Sequence, residues 1–217
     1  MSGQERRQGE GDTAAMFEPH GWDARYAGTE KFWSGEPNPQ LVAEASGLTP
    51  GHALDVGCGE GGDVVWLARR GWTVTGADFS ANALGRAARH AEEAGVADRV
   101  EWWQIDAREF EAGRRAYALV TSHYLHVPDG GMVKAVRAMA AAVAPGGHLL
   151  VVGHAAGAAF TDLTPSQRTA MFDADDLLPS LPEDFHALVV EQRPRQLVRG
   201  GEPVLAYDST LLAQRKR

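Results

Sequence analysis

The stretch Ala53-Leu-Asp-Val-Gly-Cys-Gly-Glu-Gly-Gly62 constrains this chain more than any other, because an apolar run ends in an acid and then in four glycines within six positions. A strand running into bare backbone is the reading it forces. Glycine has no Cβ, so Gly57, Gly59 and Gly61 can take positive φ and let amide N–H groups approach a ligand. Asp63-Val-Val-Trp-Leu-Ala-Arg-Arg-Gly71 follows, with apolar residues at helical spacing and a glycine stop, so the loop opens a helix. Strand, loop and helix N-terminus together predict the start of a nucleotide-binding β-α-β unit.

Spacing alone does not choose the ligand, since Gly57, Gly59 and Gly62 also fit the Gly-x-Gly-x-x-Gly fingerprint of dinucleotide sites. Asp55 helps. Two residues before the first glycine, its carboxylate would repel a pyrophosphate over the loop and attract a ligand carrying an ammonium group. The pattern therefore favours an adenosine ligand without phosphates.

The rest of the 217 residues suits one domain. Residues 1 to 16 lack periodic apolar content and are expected to be a disordered tail, with the domain spanning 17–217. Aromatic residues then cluster with Gly35, Pro37 and Pro39, so the segment of about 17–47, including a short helix from Gln40 to Gly47, is expected to form a lid. Alternation follows as strand 52–57, helix 62–70, strand 72–78, helix 81–94, strand 99–105, strand 116–122, helix 130–143 and strand 148–153. That order argues for a parallel sheet covered by helices on both faces. Two further strands, 186–193 and 204–213, are joined through Gly200-Gly201.

Composition narrows the setting. The one cysteine, Cys58, excludes an internal disulfide and reads as a small packing residue in a reducing compartment. The polar start and the absence of a long apolar run predict a cytoplasmic chain with no membrane partner. A net charge of −8, from 29 acids against 21 bases, speaks against a nucleic-acid partner.

Leu54-Asp-Val-Gly-Cys-Gly-Glu-Gly61 resembles the first motif of the class I S-adenosylmethionine-dependent methyltransferases. Val74-Thr-Gly-Ala-Asp78-Phe-Ser resembles the second, Gln104-Ile-Asp106-Ala107 the third and Leu119-Val-Thr-Ser-His-Tyr-Leu-His126 the fourth. Ala144-Pro-Gly-Gly-His-Leu-Leu-Val-Val-Gly153 is similar to the helix-to-strand passage that follows. Within the family, Trp22-Asp-Ala-Arg-Tyr26 and Phe32-Trp-Ser-Gly-Glu-Pro-Asn-Pro39 look most like the small tellurite-resistance-like enzymes. The resemblance implies a three-layer Rossmann-like α/β fold, a seven-stranded mainly parallel sheet in the order 3-2-1-4-5-7-6 with strand 7 antiparallel. It also implies S-adenosylmethionine as cofactor and, with no inserted substrate domain, a small-molecule methyl acceptor.

Candidate roles follow. Gly57 and Gly59 approach the ligand, with Asp55 near its ammonium group. Asp78, ending the second strand, can accept from the ribose hydroxyls or act as a helix N-terminal acid. Phe79 can lie on the adenine, and Asp106 with Ala107 can meet its amino edge, a helix cap being the other use of Asp106. Ser122 stands beyond the fourth strand, and Tyr26 and Trp33 can cover the sulfonium by cation–π attraction. His126 and His154 lie just past neighbouring strands, where one cavity would let them take a proton or hold a substrate. No metal is expected, because no third ligand has a recognisable spacing. Methyl transfer asks mainly for alignment and exclusion of water, so a thiol, oxygen or nitrogen acceptor is open. Two other classes remain: a nicotinamide-dependent oxidoreductase, against which stand Asp55 and the lack of a Tyr-x-x-x-Lys pair, and a cofactor-binding module without chemistry.

Overall fold

The structure, a computed structural model, describes residues 19–28, 34–113, 116–155, 165–199 and 201–217. The tail of residues 1 to 16, Phe32 and Trp33 lie outside these. Seven strands run β1 His52–Val56, β2 Thr73–Asp78, β3 Val100–Gln104, β4 Tyr117–His123, β5 Val143–His154, β6 Phe185–Arg199 and β7 Glu202–Arg215. They form one sheet in the order β3-β2-β1-β4-β5-β7-β6. β7 is antiparallel to both β5 and β6, and the remaining pairs are parallel. This is the expected architecture.

Alternation along β1 divides the core. Leu54 and Val56 join Met132, Val136 and Met139 of helix α5 Gly131–Ala142 on one face. Ala53 joins Val64 and Leu67 of α3 Gly62–Arg69 and Leu41 of α2 Pro39–Ala45 on the other, so Asp55, two residues from Ala53, belongs to the α3 side. Helix α4 Ala81–Glu93 completes that layer, and α1 Pro19–Gly28 lies against it. The short helices α6 Pro165–Ala170 and α7 Ala174–Leu177 follow β5.

Local chemistry explains the helix ends. Past α3, Gly71 takes φ +94°, Gly71 N–H donates to Ala68 C=O and Trp72 N–H to Leu67 C=O, a left-handed stop that buries the Trp72 side chain. α4 starts on Ser80, whose hydroxyl accepts from Ala83 N–H.

Two stretches differ from expectation. β5 begins at Val143, directly after α5, because Val143 pairs with Tyr117 before Pro145-Gly146-Gly147 shift the register against β4. A Cβ at Gly147 would come within 2.9 Å of the Tyr117 carbonyl, so only glycine lets the strands close here. β6 and β7 each extend well beyond the expected segments, since their pairing runs from Phe185↔Arg215 to Arg199↔Glu202. Pro194 is accommodated in β6 because β6 is the edge strand of the sheet, where proline is tolerated.

Candidate active site

The glycine loop is built as its residues require. Gly57, Gly59 and Gly61 have φ of +78°, +52° and +80°. The Gly57 and Cys58 N–H groups both donate to Ala77 C=O, tying the loop to the end of β2. There Asp78, 8 % exposed, accepts from Gly59 N–H through Oδ2 and from Ser80 N–H through Oδ1, both at 2.9 Å. Burial raises its pKa, and these donors partly offset that. Each oxygen keeps a further lone pair, so the carboxylate is held in place and can still accept from a diol. Phe79 follows, half-buried. Cys58 is buried, with its thiol pushed up first by burial and then by the Asp78 charge, as a packing residue would be.

The Asp106 carboxylate is clamped by its own near neighbour, Arg108, with Nε at 3.0–3.1 Å and Nη2 at 2.7 Å. Burial works to raise its pKa, but Arg108 outweighs it and holds the group below the ordinary carboxylate value. Ala107 is a buried member of the core. Ser122 is fully buried within β4 and spends its hydroxyl on Val56 C=O at 2.8 Å. Tyr26 is 5 % exposed and stacks on Trp22 of the same helix, with ring centres 5.8 Å apart.

Asp55 does not stand over the loop. It is 2 % exposed, accepts from Thr121 Oγ1 at 2.8 Å, and lies beside His123 and Asp63. His123 Nδ1 is 2.9 Å from Asp63 Oδ2 and 3.8 Å from Asp55 Oδ1; it forms an ion pair whose alignment is poor for a hydrogen bond. Burial, then the charge of Asp63, pushes Asp55 up to about 7. Burial opposes a charged His123, yet the two carboxylates prevail and raise its pKa. One ligating atom from each of these three residues lies within 4.8 Å of the others, a grouping the sequence reading did not contain. Spacing hides it, because β1, α3 and β4 each supply one member. Asp63 also accepts from Asn38 N–H at 2.6 Å, fastening the start of α2 to this cluster.

The C-terminal ends of β4 and β5 bring His126 and His154 together, with ring centres 5.1 Å apart and planes at 19°. His126 Nδ1 meets Ala170 C=O at 3.0 Å. A carbonyl only accepts, so Nδ1 carries the proton, and burial keeps the ring neutral by lowering its pKa. Nε2 is then a lone pair, buried and without a hydrogen-bond partner. His154 has the opposite tautomer. Its Nδ1 faces Arg195 Nη2 at 3.1 Å, and guanidinium only donates, so the proton lies on Nε2. Burial, then His126 and Arg195, drive its pKa down to about 3.

Three residues absent from the sequence reading hold this pair. Tyr124 stacks on His154 at 4.6 Å, carries Arg195 over its ring at 5.0 Å and donates to Asp208 Oδ2 at 3.0 Å. Arg195 Nε donates to Asp208 Oδ1 at 3.0 Å. Tyr124 has φ +55°, an uncommon backbone for a bulky side chain and one that such contacts must maintain. No local signal marks Arg195 and Asp208, which meet only across the β6–β7 hairpin.

Sheet order, positive-φ glycine loop and carboxylate at the end of β2 are those that the resemblance to class I S-adenosylmethionine-dependent methyltransferases implies. Comparison with known proteins agrees: residues 53–147 match the family described as a methyltransferase domain. The ubiquinone biosynthesis O-methyltransferase of Serratia proteamaculans is 33 % identical over 161 residues, 73 % of this chain and 63 % of that protein. The chain spans 43 % to 63 % of the length of the first curated relatives it matches. Among solved structures, a protein studied for the conversion of a disulfide bond into a thioacetal group during echinomycin biosynthesis superposes with TM-score 0.72 at 22 % identity, over 91 % of both chains. TehB from Haemophilus influenzae gives 0.66 at 19 % identity, over 92 % of this chain and 67 % of that one. At these identities the structural likeness is one of fold.

Proposed function

We propose that the protein transfers a methyl group from S-adenosylmethionine to a hydroxyl oxygen of a small molecule and releases S-adenosylhomocysteine. The observation that carries this is the His126–His154 pair beyond the ends of β4 and β5, one imidazole presenting a bare Nε2 lone pair and the other protonated at Nε2. Asp78 would hold the ribose, the Gly57–Gly61 backbone the amino-acid part, and Phe79 the adenine, with Tyr26 beside them. The fit rests on loop geometry: Gly57, Gly59 and Gly61 hold positive φ, and the Asp78 carboxylate beside them is fixed by Gly59 N–H and Ser80 N–H with a lone pair left on each oxygen. When bound, the cofactor supplies a sulfonium carbon that a nucleophile attacks in line.

The chain's own part is to bind, align and take a proton. His126 Nε2 accepts the hydroxyl proton as the oxygen becomes a nucleophile, and its low pKa keeps it available at neutral pH. The cluster is charge-balanced, with Arg195 against Asp208 and both imidazoles neutral, so nothing in it compensates a cationic amine. A thiol ionises without such help. These points favour oxygen over nitrogen and sulfur, and the name of the Serratia relative is in keeping with them. The reading carries with it a cytoplasmic enzyme that works on free small molecules without nucleic acid or membrane, in line with the net charge of −8. No described helix is long and apolar enough to cross a membrane.

Calorimetry with S-adenosylmethionine, S-adenosylhomocysteine and NADH tests the cofactor, and a panel of phenols, thiols and amines tests the acceptor. Binding of the first two without NADH, followed by phenol turnover, is the expected result. Binding of NADH alone would overturn the cofactor assignment, and turnover of amines or thiols alone would overturn the oxygen acceptor. Tight binding with no turnover of any acceptor would leave a binding module.

A further inference from the structure

The carboxylate of Asp23, on α1, closes on the N-terminus of α4 immediately beside Asp78. Its Oδ1 accepts from Ser80 Oγ at 2.6 Å and from Asn82 N–H at 3.1 Å, and its Oδ2 accepts from Asn82 Nδ2 at 2.9 Å. Ser80 is shared between two tasks. Its N–H donates to Asp78 Oδ1 at 2.9 Å, while its hydroxyl oxygen accepts from Ala83 N–H at 3.1 Å. With that oxygen accepting inside α4, the hydroxyl proton points at Asp23. Ser80 is 1 % exposed, so removal of Asp23 would leave this donor without its partner in a nearly closed space.

We infer that Asp23 is a positioning residue that couples the docking of α1 to the grip of Asp78 on the cofactor's ribose. The inference rests on the S-adenosylmethionine reading of the site. Asp23 holds the Ser80 side chain; Ser80 in turn presents the N–H that fixes one Asp78 oxygen, leaving the diol-facing lone pairs aimed. The Ser80 hydroxyl and Asn82 N–H hold Asp23 below its ordinary pKa, so it stays anionic against the α4 N-terminus. Coupling is reciprocal: whatever the ribose gains from a well-placed Asp78 returns as tighter docking of α1, which carries Trp22 and Tyr26. This gives the expected N-terminal lid a specific fastening point.

The test uses the full chain and S-adenosylhomocysteine as probe. Calorimetry should show affinity falling about five-fold or more in Asp23→Ala, with Asp23→Asn between it and wild type, because Asn can keep the Oδ1 contacts but loses the charge and the Oδ2 acceptor that meets Asn82 Nδ2. Tryptic cleavage after Arg25 should slow when the probe binds wild type and stay fast in Asp23→Ala. Equal affinity in wild type and Asp23→Ala, or equal slowing of cleavage, overturns the coupling while leaving the cofactor assignment standing. No affinity in wild type overturns both. Should Asp23→Ala fail to fold, Asp23→Asn and Ser80→Ala carry the same comparison.

Discussion

His126 and His154 are parallel neighbours with opposite tautomers, 5.1 Å apart, one pinned by the Ala170 carbonyl and the other by the Arg195 guanidinium. A backbone acceptor and a cationic donor have sorted two equivalent side chains into a proton acceptor and a proton donor.

His126→Gln removes the Nε2 lone pair while keeping much of the volume. Turnover of a hydroxyl acceptor should fall by about 10²- to 10⁴-fold, with S-adenosylhomocysteine affinity by calorimetry within two-fold of wild type. Unchanged turnover would remove His126 from proton transfer.

Arg195→Met should destabilise the fold more than Asp208→Asn does. Asp208 is fully buried, and losing its guanidinium partner leaves a carboxylate with the Tyr124 hydroxyl as its remaining side-chain donor, at a cost of about 3–5 kcal/mol. Arg195, with 23 % of its side chain exposed, can turn to water when Asp208 is neutralised, so that variant should cost about 1–2 kcal/mol. Urea unfolding of the two variants checks the order.

Two contributions to the pH dependence of stability, from Asp55 and His154, oppose each other. Asp55 is raised from its ordinary 3.8 to about 7, so between those values the folded chain binds more protons than the unfolded one, and this contribution is lost as pH rises. His154 is lowered from 6.5 to about 3; there the unfolded chain binds more protons, and stability is lost as pH falls through that window. Asp55→Asn should therefore flatten the fall in stability between about pH 4 and 7, gaining on wild type as pH rises through that window. Urea midpoints at several pH values measure this, and a constant difference would refute the assignment.

Gly61→Ala meets two obstacles at once, a φ of +80° and a Cβ 2.9 Å from Ala87 and 3.1 Å from the Trp102 ring. A loss of about 2 kcal/mol is expected, together with weaker S-adenosylhomocysteine binding, because α4 must shift away from the loop. Gly85→Ala, on the same helix with open space around it, is the control and should leave both unchanged or slightly improved.

What the chain declared by itself is local or periodic. Strand and helix alternation, the glycine loop, Asp78 at the end of β2 and the Gly71 stop each depend on a few adjacent residues, and the parallel order followed from that alternation together with the family resemblance. Asp106 shows the limit even at short range, since its clamp by Arg108, two residues on, was not announced by the spacing. The charged clusters depend wholly on tertiary structure. Asp55, Asp63 and His123 come from β1, α3 and β4, and only burial against one another turns three ordinary side chains into a group that shares its charge. Arg195 and Asp208 become partners because the β6–β7 register sets them on one hairpin face, and Tyr124 reaches them only through a left-handed turn after β4. Proton affinity and tautomer are decided by desolvation and by the nearest donor or acceptor, which are distances in space that sequence spacing does not encode.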